Sequence, residues 1–169
     1  MNICESIKTF DINNICYLDP IKNTVIDNSN FIRILYSNEL FALNGIYIIF
    51  KFKNIQKFFQ NNKVKTCFDM NNSINLNNIN FIKKLEQDLL KNCIIKNKKP
   101  FTKLKDQLNQ GYLKNTNCIY VENKNDIINN MEENFILKIS GIWESELEYG
   151  LTYKIIDTQD SLTVGCKEF

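Results

Sequence analysis

Two periodicities divide this chain. From Phe135 to Trp143 the residues alternate, and the alternation assigns Phe135, Leu137, Ile139, Gly141 and Trp143 to one face. Ile136, Lys138, Ser140 and Ile142 fall on the other, a period of two that a helix does not produce. Leu151–Ile156 repeats the pattern after an acidic, polar connection, so the pair reads as two strands joined by a turn. Phe31–Tyr36, Ile46–Lys53 and Lys63–Met70 alternate in the same way, and Asn44-Gly45 marks a bend before the second of them. Asn77–Ile95 differs. Ile79, Ile82, Leu85, Leu89 and Cys93 recur at steps of three and four, which predicts an amphipathic helix capped by Asn77 or Asn78 and stopped before Pro100. Thr102–Gln110 reads as a short helical turn, Cys118–Glu122 as a short strand, and Asp126–Glu133 as a helix leading into the final strand pair. The tail from about residue 157 is mostly polar.

Strands, one principal helix and more strands predict a mainly β, α+β fold: a small antiparallel barrel or curled sheet with an inserted helix. The 169 residues are enough for one domain with a real core, and nothing in them reads as a boundary or linker. No apolar run approaches the roughly 20 residues that span a bilayer, and the first residues do not read as a leader. The expectation is an intracellular protein, in cytoplasm or nucleus, with no membrane partner.

Composition narrows the chemistry. Histidine is absent, which removes the commonest acid–base group and neutral metal ligand. The six cysteines include no CxxC pair, so they read as free thiols in a reducing compartment, and neither a cofactor nor a metal site is expected. Glu86 and Asp88 are assigned to the polar side of the helix, and Glu144, Glu146 and Glu148 to water. No catalytic residue is assigned, and a divergent metal-dependent nuclease is retained only as a third reading. Net charge is +2, and Arg33 is the sole arginine. Lysine is a flexible point charge that follows phosphates rather than reading bases, so any nucleic-acid binding should be largely sequence-independent. Abundant asparagine, isoleucine and lysine have AT-rich codons, as in the genome of a virus, parasite or symbiont.

Basic and aromatic residues interleave, the combination that lets a protein stack bases while neutralising phosphates. The candidate phosphate ligands are Lys51, Lys53, Lys63, Lys65, Lys98, Lys99, Lys138 and Lys154; the candidate stacking residues are Tyr47, Trp143 and Tyr153. The same positions suit a half-buried Tyr47, a core tryptophan and a solvated lysine face. Phe58 and Phe59 read as core. The terminal Phe169 is a candidate anchor for a partner's pocket.

The run GIWE, a polar connection and YGLTYK resembles the last part of OB-fold single-stranded-DNA-binding proteins of large DNA viruses. FALNGIYIIFKFKN resembles that family's early strand pair, and FIKKLEQDLLKN its inserted helix. The resemblance runs loosely from about Phe31 to Ile156 and is close only over Phe135–Ile156. It implies an OB-like barrel that coats unwound single-stranded DNA (RNA being the alternative) during viral replication or recombination, without catalysis. It also implies an acidic tail ending in phenylalanine that recruits replication proteins. Here Glu168 and Phe169 match the tip, but Lys167 intrudes and acidic residues are sparse. The alternative class is a structural or interaction protein, such as a virion component or a binder of host factors.

Overall fold

The computed structural model describes residues 4–60, 63–93, 95, 97–115 and 128–158. The strand expected at Cys118–Glu122, the terminal Phe169, Cys118 and Cys166 lie outside them. Among the described residues eleven strands join one sheet. They are β1 (Glu5–Ser6), β2 (Ile15–Tyr17), β3 (Ile21–Lys22), β4 (Asn30–Ser37), β5 (Ala42–Leu43), β6 (Ile46–Gln60), β7 (Lys63–Phe68), β8 (Lys99–Phe101), β9 (Tyr112–Asn115), β10 (Ile128–Glu144) and β11 (Glu148–Asp157). Two helices accompany them, α1 (Ser73–Asn92) and α2 (Lys103–Asn109). The mainly β, α+β class is therefore as expected.

The long strand β10 organises the sheet. One edge pairs with β11; the other pairs with β6 over Ile128–Ile139 and then with β4 over Gly141–Glu144. These ladders are antiparallel, and the path runs on from β6 to β7 and β9. Among the described residues parallel pairing is confined to two short additions, β1 on β6 and β8 on β11. Residues expected as a helix before Glu133 belong to β10 instead. Their backbone is taken up by β6, and pairing overrides a marginal local preference.

The sheet does not close into a barrel, which corrects the OB-like closed architecture expected from the sequence. No ladder joins β9 to β11 among the described residues. A side chain of α2 bridges them: Gln107 donates to the Tyr153 hydroxyl at 3.2 Å and accepts from the Lys114 N–H at 3.3 Å.

The inner face of the sheet and the apolar stripe of α1 form the core. Ile46, Ile48, Phe50 and Phe52 of β6 meet Phe135, Leu137 and Ile139 of β10, with Ile79, Ile82, Leu85 and Leu89 packed over them. In β6 the alternation then slips by one. Asn54 has a φ of 53°, a left-handed conformation asparagine tolerates, so Ile55 and Lys57 become the inward residues.

Helix α1 begins earlier than the asparagine spacing suggested. Asn72 caps it, accepting from the N–H groups of Ile74 and Asn75. Asn75 and Asn78 do a different job. Among the described residues the edge of β6 between its pairing with β1 and its pairing with β7 has no neighbouring strand. Asn75, fully buried, accepts from the Lys53 N–H at 2.9 Å and donates to the carbonyls of Lys53 and Asp69 at 2.8 Å each. Asn78 donates to the Lys51 carbonyl. These amides satisfy backbone groups that would otherwise be buried without partners.

Glu86 is also a correction. It is not on a polar face but 1 % exposed. Its carboxylate accepts from the N–H groups of Leu104 (3.1 Å) and Lys105 (2.7 Å), the first turn of α2. Thr102, the residue before that turn, makes no side-chain capping bond, so α1 supplies the cap. Burial pushes the Glu86 carboxyl above the usual carboxylate range despite these bonds.

At the far end of the core Lys57 lies between two buried carboxylates. Its Nζ is 2.5 Å from Asp157 Oδ2, to which it donates a hydrogen bond, and 2.5 Å from Glu133 Oε2. The contact to Glu133 is one of charge and not of alignment, since that oxygen receives no well-directed hydrogen bond. Burial pushes the Glu133 carboxyl up, and the charge of Asp157 adds to the rise. Burial opposes the Lys57 charge, but the hydrogen bond it donates to Asp157 and the negative charge of the adjacent Glu133 hold its ammonium above the ordinary lysine value.

Two predictions follow from these polar interiors. Asn75→Ala leaves three partly buried backbone groups unpaired and should cost about 2–4 kcal/mol in urea unfolding. Lys57→Met leaves two carboxylates facing each other and should cost about 3–5 kcal/mol near neutral pH. The sign with pH is set by Glu133. A raised carboxyl favours folding below its unfolded value of about 4.3 and loses that contribution as pH rises through the folded value. The K57M deficit should therefore shrink on acidification toward about pH 4, as the Glu133 carboxyl becomes neutral. A deficit independent of pH would contradict this electrostatic account.

Candidate nucleic-acid interface

The face of each residue in the final strand pair depends on one insertion. Ile139 pairs with Tyr153, yet Gly141 pairs with Thr152, so Ser140 is an extra residue in β10. The alternation reverses there. Ile142 turns into the core, fully buried, and Gly141 and Trp143 turn outward. Trp143 therefore shares the outer face with Lys138, not the inner face with Phe135 as simple alternation assigned.

Register then places a row of apolar side chains across five strands. Ile21 of β3 pairs with Phe31 of β4, Phe31 with Trp143 of β10, Trp143 with Gly150 of β11, and Gly150 with Phe101 of β8. Ile21 is 53 % and Phe101 41 % exposed, and Phe31 and Trp143 are half-buried. Two glycines make room for the rings. A Cβ on Gly141 would lie 2.6 Å from Phe31 Cζ, and one on Gly150 would lie 2.9 Å from Trp143 Cζ2. The Trp143 and Phe101 rings are 6.1 Å apart at a tilt of 58°. The row is thus a partly exposed aromatic strip, seated on glycine backbone.

Cations occupy the next outward positions. Arg33, Gly141 and Thr152 form one row; Tyr47, Lys138 and Lys154 form the next. Arg33 and Lys154 are exposed, and Lys138 Nζ lies 5.2 Å from the centre of the Tyr47 ring, within cation–π range. Among the described residues no salt bridge engages Arg33, Lys138 or Lys154. Lys99 is exposed beside Glu148, its register partner.

The other expected residues are placed differently. Tyr153 is on the inner face, its hydroxyl held by Gln107, and burial pushes that hydroxyl's pKa well up, so it does not join the stacking strip. Lys51 and Lys53 both pair with Glu132, Lys53 at 3.2 Å. Lys98 is a structural cation. It donates to Glu144 at 2.6 Å and to the Ser145 carbonyl at 2.7 Å, fixing the turn between β10 and β11 and holding the Glu144 carboxyl below its usual range. Lys65 lies on β7, away from the strip, with its ammonium 4.4 Å over the Tyr112 ring. Lys63 is in β7 opposite Gln60; only its backbone is described. Phe58, expected in the core, is 38 % exposed.

Sequence reasoning did not pick Phe31, Phe101, Arg33 or Ile21. A signal for them existed in Gly141, a glycine inside a strand pattern that marks a bulge. Carrying that bulge through the alternation moves Trp143 to the solvent side and brings Phe31 with it.

Two converging carboxylates, Glu133 and Asp157, do exist, but they are buried and clasped by Lys57. Among the described residues no cluster of three or more histidine, cysteine, aspartate or glutamate side chains is arranged to hold a metal. Comparison with known protein families, with curated proteins and with solved structures finds no match.

The glycine seat of Trp143 is testable alone. Gly150→Ala pushes a methyl against the indole and against the Phe101 carbonyl, 3.0 Å away. It should cost about 1–3 kcal/mol and shift the emission of this single tryptophan to the red as the ring lifts into water. An unchanged spectrum would show that the ring does not rest on Gly150.

Proposed function

We propose that this protein binds single-stranded nucleic acid, DNA in the first instance, on the outer face of the sheet around Trp143. The observation that carries the reading is the register-aligned strip Phe31–Trp143–Phe101 lying beside Arg33, Lys138 and Lys154. Bases stack on the rings and the cations follow the backbone. Lysine predominates and few charges are engaged, so the binding is weakly selective for sequence and its salt dependence is shallow. The resemblance of Phe135–Ile156 to viral single-stranded-DNA-binding proteins supports this reading and gives it a setting, the coating of unwound DNA in replication or recombination. The open sheet departs from that family's barrel, so the support rests on the strand pair and not on the architecture.

A second reading, docking of a partner protein, is favoured by the apolar character of the same strip and by the exposed Leu147 at the turn beside it. Salt separates the two. Because the chain has one tryptophan and it lies in the strip, its fluorescence reports binding directly. Titration with oligo-dT should quench Trp143, with an affinity that falls as salt rises at a slope near −2 for three phosphate contacts. Lys138→Ala with Lys154→Ala should flatten the slope by about 1.4, and Phe31→Ala should weaken binding by about 1–3 kcal/mol. No quenching at low ionic strength would overturn the proposal.

A further inference from the structure

The outer face carries a second basic and aromatic group, far along β6 from the first. Lys57, Thr66 and Leu113 form one register row across β6, β7 and β9, and all three are buried. The neighbouring rows therefore face outward. One is Phe58, Lys65 and Lys114; the other is Gln56, Cys67 and Tyr112. Lys65 Nζ sits 4.4 Å and Lys114 Nζ 5.9 Å from the centre of the Tyr112 ring. Both lysines are exposed, and neither makes a salt bridge among the described residues. Asp69, just beyond β7, accepts from Asn54 and from the Asn71 N–H. Tyr112 thus gathers two cations side by side, with Phe58 as a partly exposed ring in the same row.

We infer that Phe58, Lys65, Tyr112 and Lys114 form a second station for the same single strand, holding two phosphates and one base beyond the Trp143 strip. The inference rests on the proposed function and adds the extent of the site. Tyr47 and Phe58, which mark the two stations on β6, are separated by a strand length of roughly 36 Å at about 3.3 Å per residue. A short oligomer reaches one station. A long one reaches both, and its second contact becomes intramolecular.

The test compares oligo-dT of about 4 nucleotides, at the lower end of the roughly 4–16 that one small single-strand-binding fold covers, with oligo-dT of about 30, well above it. Both are followed by Trp143 fluorescence. The wild-type protein should bind the long oligomer at least about tenfold more tightly. Lys65→Gln with Lys114→Gln should remove that gain down to the statistical excess of overlapping sites, lower the long oligomer's salt slope by about 1.4, and leave the short oligomer's affinity unchanged. Phe58→Ala should reduce the long oligomer's gain alone. If the short oligomer binds and the gain persists in the double variant, the second station is overturned while the first stands. If polyglutamate displaces the long oligomer's extra contact as well as oligo-dT does, the station is a general polyanion surface and the inference also falls. If neither oligomer binds, the underlying proposal fails and takes this one with it.

Discussion

One unpaired residue, Ser140, decides what this sheet shows to water. A strand has a side-chain period of two, so an extra residue reverses every position after it. Without the insertion Ile142 would point outward and Trp143 would enter a core already filled by Leu137, Ile139 and Leu151. With it, the core keeps an isoleucine and the outer face gains an indole in register with Phe31 and Phe101. Asn54 performs the same reversal in β6, where its left-handed backbone turns Ile55 and Lys57 inward. Both of these slips lie in the longest strands, β6 and β10, where the ladder between them shifts register again at Asn129/Met131.

Much of the fold was legible because burial writes itself into periodicity. Ile79, Ile82, Leu85 and Leu89 announced α1, and Ile46, Ile48, Phe50 and Phe52 announced the inward face of β6; all eight are in the core. The errors fall where periodicity carries no information. Glu86 sits at a position that reads as polar surface, yet it caps a helix of another segment. Asn78 reads as a cap for its own helix, yet together with Asn75 it closes a strand edge distant in sequence. The closed barrel failed for a similar reason. Whether the last strand meets β9 depends on what lies between them, and here the Gln107 amide does.

The candidate site was legible in kind but not in membership. Lysines and rings on strands pointed to phosphates and bases, and Tyr47, Lys138, Trp143 and Lys154 do share one face. Lys98, Lys51 and Lys53 were indistinguishable from them in sequence, but each has a carboxylate partner brought by the fold. A lysine's availability is a property of its neighbours across the sheet, and those are set by register. Among the described residues Lys51, Lys53, Lys57 and Lys98 are engaged in ion pairs, whereas Arg33, Lys138 and Lys154 on the outer face are not.

The most direct test of that outer face is amide chemical-shift mapping during titration with an oligo-dT short enough to occupy one station. The account predicts that the largest shifts cluster at residues 31, 33, 101, 138, 143, 150, 152 and 154, and move back as salt is added. Shifts confined to another part of the molecule, such as the polar cleft lined by Asn54, Gln56 and Asp69, or no shifts at all, would contradict it.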